Sequence, residues 1–98
     1  MLAKNPEETP VLSLPAILTS VQALDAQLSL TAQIATQTSV VVDASALTQF
    51  DSSTLAVLLA CRRQAIIAGK TFAVHGLPDK LAQLAGLYGV AELMASAA

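Results

Sequence analysis

The sequence predicts an α/β fold, a single domain in which helices pack against a small, mostly parallel or mixed sheet. Short apolar runs of strand length alternate with longer stretches of helical periodicity, in the order strand, helix, strand, helix, strand, helix. The connections between successive strands are long enough for parallel crossovers, which need many more residues than a hairpin does. Finally, 98 residues with 54% hydrophobic content and 12% charge are enough to fill one core, and no linker or internal repeat divides them.

Residues 1–10, MLAKNPEETP, are polar and proline-bounded, so they read as a flexible or extended arm ahead of a domain spanning 11–98. Val11-Leu12-Ser13-Leu14 is a short strand ended near Pro15, and a proline there marks a sheet edge. Over 20–35, Val21, Leu24, Leu28 and Ala35 recur at helical spacing, which predicts a helix capped by Thr19 or Ser20, with its Gln and Thr residues facing water. Val40-Val41-Val42 is a β-branched run too short for a helix, so it reads as a buried strand that Asp43 ends. Residues 44–50 form a loop, within which Asp43 and Ser45 are placed to bond the backbone and shape it.

A long helix follows over 52–68. Asp51 stands directly before it and can accept hydrogen bonds from the orphan amides of its first turn. Arginine is rarely buried unpaired, so Arg62 and Arg63 mark the outward side, and Val57, Leu58, Cys61, Ala65 and Ala68 form the inward arc. Leu55, Leu59, Ile66 and Ile67 then fall beside the arginines. Bulky apolar residues flanked by arginine suit a partner-binding face, although a helix buried on more than one side of its own domain would show the same pattern. Gly69 ends this helix, and Lys70 sits where a cation suits its dipole. Residues 71–75 are the next strand. Pro78 opens a further helix at its first position, with Leu77, Leu81, Leu84, Ala85 and Tyr88 on one stripe and Gly89 ending it; 90–94 add a last short segment.

Composition removes several functional classes. A net charge of −2 with five scattered basic residues leaves no footprint for nucleic acid. One histidine and one cysteine cannot build an ordinary zinc site, and no glycine-rich phosphate loop is present, so neither a metal nor another cofactor is expected. His75 stands alone in its strand, the carboxylates are scattered, and Cys61 lies on the inward arc, so no acid, base and nucleophile converge: the chain reads as a non-enzyme. No apolar run approaches the length that crosses a bilayer, and the charged, proline-containing start lacks the apolar core of a secretory signal. The expected location is therefore cytoplasmic. An unpaired cysteine agrees with that. The helix start at Asp51-Ser52-Ser53 is the one place where an anionic group has a physical reason to sit, although hydroxyls there often do no more than bond local backbone.

Val41-Val42-Asp43 followed eight residues later by Asp51-Ser52-Ser53, then Ala68-Gly69-Lys70 before a strand, and finally Leu87-Tyr88-Gly89-Val90, resemble the STAS domain family over residues 40–90. That family is shared by anti-sigma factor antagonists and sulphate transporter tails. Leu87-Tyr88 and the short length are most similar to the small STAS subunit of the Mla phospholipid ABC transporter. The resemblance implies a small mixed sheet with helices and a function in binding. It also implies a cytoplasmic accessory subunit that binds the transporter's ATPase, supports its assembly or activity in maintaining outer-membrane lipid asymmetry, and meets the inner membrane only through the complex. The alternative it implies is an anti-sigma factor antagonist that works as a serine phosphoswitch with a partner kinase.

In the transporter subunit the important hydroxyl follows the aspartate, which maps onto Ser52. In the antagonists the second hydroxyl is phosphorylated, which maps onto Ser53. Thr54 departs from the family's usual glycine, and its β-branch narrows a partner's approach. The expected partner-binding or regulatory residues are therefore Asp51, Ser52, Ser53, Thr54, Leu55, Leu59, Arg62, Arg63 and Ile66, with Ser52 and Ser53 as the phosphorylation candidates.

Overall fold

The computed structural model describes residues 11–94, so the arm expected over 1–10 lies outside the described residues. In chain order the elements are β1 (Val11–Ser13), β2 (Ile17–Leu18), α1 (Ala23–Ile34), β3 (Ser39–Asp43), β4 (Gln49–Phe50), α2 (Ser52–Ile67), β5 (Thr71–His75), α3 (Asp79–Leu87) and a 3-10 turn at Ala91–Leu93. β1, β3 and β5 form one sheet in that order, and both of its pairings are parallel. Among the described residues β1 is thus an edge strand, with Pro15 just beyond its end. Its pairing reaches one residue further, since the Leu14 N–H donates to the Asp43 carbonyl at 2.9 Å.

The register sets Leu12, Val42 and Val74 side by side, all buried on one face of the sheet. Val41 and Ala73, one residue earlier on the other face, are only half-buried. The valine run of β3 is therefore buried at alternate positions and not throughout, because adjacent strand residues point to opposite faces.

The sequence reading of 44–50 as loop holds except at its end. Gln49 and Phe50 pair in parallel with Ile17 and Leu18, forming a separate two-stranded ladder that brings the start of α2 against the chain before α1. Two-residue strands carry no periodic signal.

α1 corrects the expectation in two ways. It starts at Ala23, not at Ser20, and its N-cap residue is Gln22, whose Oε1 accepts from the N–H and hydroxyl of Thr19 at 2.9 and 2.8 Å. Its inward face is also different: Leu30 and Ile34 are buried and Ala23 and Ala26 pack on the core, whereas Val21, at 83% exposure, lies outside together with Leu24, Leu28 and Ala35. Two apolar stripes coexist in this segment. The one carrying the two alanines wins because α1 packs along α2, and small residues allow two helices to approach closely.

Gly69 ends α2 with φ +76°, and the two carbonyl-capping bonds Gly69 N–H to Ile66 and Lys70 N–H to Ala65 close the turn. The Lys70 ammonium does not serve its own helix. It donates to the carbonyls of Ile34 at 2.7 Å and Ala35 at 3.2 Å, the C-terminal end of α1. Pro78 is the N-cap of α3 and not its first residue, so the helix begins at Asp79, one residue later than expected. At the other end of the sheet, Gly76 (φ +72°) lies so close to Ser45 that an added Cβ would stand 2.8 Å from the Ser45 Cβ. Cys61 is fully buried as expected, and burial pushes its thiol up to about 11.

Candidate functional site

Asp51 fixes where α2 begins. Its backbone is extended, and its Oδ1 accepts from the Ser53 N–H at 2.8 Å. The Asp51 N–H donates in turn to the Thr54 hydroxyl at 3.3 Å, which completes a reciprocal cap. The other carboxylate oxygen accepts from the Ser20 N–H at 3.3 Å, so Asp51 also holds the segment that leads into α1. Asp51 thus caps α2 and ties it to the chain before α1.

Thr54 is corrected by its burial. It is 0% exposed, and its hydroxyl donates to the carbonyl of Leu18 in β2, so it holds the ladder to the helix and is not available to a partner. Ser52 is exposed at the first helical position, while Ser53 is half-buried. The hydroxyl pair is therefore unequal.

Along α2, residues Ser52, Leu55, Ala56, Leu59, Arg62, Arg63, Ile66 and Ile67 fall at steps of three and four, and so form one stripe. The first half of the stripe lines a cavity of about 330 Å³ whose opposite wall is Tyr88 and Val90. The second half lines another of about 310 Å³, closed on the far side by Leu93. Leu59 belongs to both, which makes them one trough between α2 and the C-terminal segment.

The residues expected on the solvent side of α2 divide along the helix. Leu55, expected on the solvent side, is 3% exposed and forms the floor of the trough, and Leu59 packs on the core. Ile66 and Ile67 are 50% and 73% exposed beside Arg62 and Arg63. Ala68 was assigned inward and is exposed, since the helix is already ending there.

The trough's second wall was missed. Tyr88 was placed on one stripe with Leu77, Leu81, Leu84 and Ala85, yet it caps α3 and is 60% exposed. Leu81 and Ala85 satisfy the core, and the tyrosine is left over.

Other polar groups stand apart from this site. Asp43 accepts from the Ser45 N–H at 2.9 Å and pairs in register with His75 at the end of β5. The Ser45 bonds and the nearby His75 hold its carboxyl below the usual 3.8. No group of three metal-ligating side chains occurs among the described residues. None of their helices is long and apolar enough to cross a membrane.

An all-parallel three-stranded sheet, a two-residue ladder, and a long helix entered through Asp-Ser-Ser place the geometry beside known families. A family model described as "Mlab, STAS domain" matches residues 1–95. The chain belongs to the STAS domain family. No curated protein matches it. The match extends beyond the stretch from Val40 to Val90 that carries the resemblance in sequence, and it takes in β1 and α1. STAS domains are generally non-catalytic, and this one offers a surface trough with a serine at its end.

Proposed function

We propose that this STAS domain is a non-catalytic accessory subunit that binds the cytoplasmic ATPase of a phospholipid ABC transporter. It supports the assembly or activity of that ATPase in maintaining outer-membrane lipid asymmetry. It is a cytoplasmic protein that reaches the inner face of the inner membrane only within the complex. The observation that supports this is the trough, in which two exposed isoleucines and two arginines line one side of α2, an exposed tyrosine forms the opposite wall further along, and the other side of the helix fills the core. Aromatic, aliphatic and arginine side chains in that mixture characterise protein interfaces.

The alternative, an antagonist switched by phosphorylation of Ser53, is less well supported because Ser53 is half-buried and its N–H is engaged by Asp51, whereas Ser52 is exposed.

Co-purification of the domain with the transporter ATPase tests the reading. Ile66→Asp places a charge at a half-exposed position, so it should leave the circular dichroism spectrum unchanged and abolish co-purification. An Ile66→Asp domain that still binds the ATPase at wild-type affinity would remove the trough as the interface.

A further inference from the structure

We infer that the trough holds an amphipathic helix of the partner, lying along α2 with its carboxylates against Arg62 and Arg63. This rests on the reading that the trough binds the ATPase.

The shape of the surface points to a helix. Ser52, Leu59 and Ile66 repeat at intervals of seven, the spacing at which one helix meets another along its length. Ala56, small and exposed beside them, permits close approach of a partner backbone. Tyr88, Val90 and Leu93 give the surface a second wall, so the occupant lies in a groove and not on a flat face. α2 is 16 residues long, about 24 Å, enough to run beside about four turns of a partner helix.

Charge fixes the occupant's chemistry. Neither arginine is paired with a carboxylate among the described residues, and no acidic residue lines either cavity. Covering two guanidinium groups with an apolar surface leaves charges desolvated and unpaired, which is strongly unfavourable. The occupant must therefore bring carboxylates to that end. The bound helix thus has acidic residues against the C-terminal half of α2. An anionic membrane surface fits less well, because stable attachment takes a larger basic cluster than two arginines.

The test compares wild type, Arg62→Gln/Arg63→Gln and Arg62→Glu/Arg63→Glu, each checked by circular dichroism and titrated with the purified ATPase. Wild-type affinity should fall about tenfold between roughly 0.05 and 0.5 M NaCl. The glutamine pair should bind more weakly at low salt and lose that dependence, and the glutamate pair should lose binding. If the glutamate pair does not fold, the glutamine pair decides alone. A photo-crosslinker at Ala56 should capture an ATPase peptide whose helical pattern carries carboxylates on one side.

Wild-type binding that Ile66→Asp abolishes but both arginine pairs leave unchanged overturns this inference and leaves the proposed function standing. ATPase that fails to bind the wild-type domain at any salt overturns both. Binding of the wild type to phosphatidylglycerol vesicles that the glutamine pair abolishes, with ATPase affinity unaltered, assigns the arginines to a membrane and overturns the helix.

Discussion

The Thr54 hydroxyl donates to the Leu18 carbonyl and accepts from the Asp51 N–H, so one side chain joins a strand, a cap and a helix. The position of Ser52 on the surface depends on that join. Thr54→Val keeps the shape and leaves a buried carbonyl and an amide without partners, at a cost of about 2 to 3 kcal/mol, whereas Thr54→Ser keeps both bonds and loses about 1 kcal/mol with the methyl group. Urea denaturation should rank them in that order.

Phosphate-like charge at the helix start separates the two functional readings. Glutamate at the exposed Ser52 suits the helix dipole, so Ser52→Glu should stay folded, yet it should block partner binding, while Ser52→Thr should be nearly silent. A pull-down in which Ser53→Glu is the sensitive variant, with one phosphate on Ser53 after treatment with a cognate kinase, would favour the antagonist reading.

Lys70 neutralises the carbonyl end of a helix other than its own. Lys70→Met keeps most of the aliphatic stem and removes the charge from the Ile34 and Ala35 carbonyls. The loss should be about 1 to 2 kcal/mol, read by chemical denaturation, and should be smaller for Lys70→Arg.

Asp43 gives a pH dependence of definite sign. Its carboxyl is held below 3.8 in the fold, so the unfolded chain takes up the proton first as pH falls. The stabilisation is present above 3.8 and is lost as pH drops through the lower folded value. Asp43→Asn should lower stability at neutral pH, where the wild-type carboxylate contributes, flatten the acid limb, and converge with wild type once pH falls below the folded value.

Periodicity made the order of the main elements legible, and β5 matches its expected span residue for residue. It could not choose between the two stripes of α1, because Val21, Leu24 and Leu28 are as regular as Ala23, Ala26 and Leu30; only the neighbouring α2 decides in favour of the small residues. At the site, Arg62 and Arg63 oriented the C-terminal half of α2 correctly. Thr54 was misplaced because the ladder it bonds to is two residues long on each strand and leaves no pattern. Tyr88 was hidden for a related reason: an aromatic on a helix stripe reads as core, and its exposure follows only from where α3 ends.

The parallel sheet has one more consequence, concerning how the domain meets another molecule. Parallel crossovers make α1 and α2 run against the strands, so their amino-terminal ends gather at the edge where β3 and β5 finish. The positive ends of the helix dipoles accumulate at the Ser52 pole, and the opposite pole is partly neutralised by Lys70. A domain with a formal net charge of only −2 has little overall charge to obscure that asymmetry. In a partner's field the molecule feels a torque as well as an attraction. Within about 8 Å, the reach left by physiological salt, it arrives already turned, so the separation of charge along the strands acts on the rate of productive collision before any side chain touches.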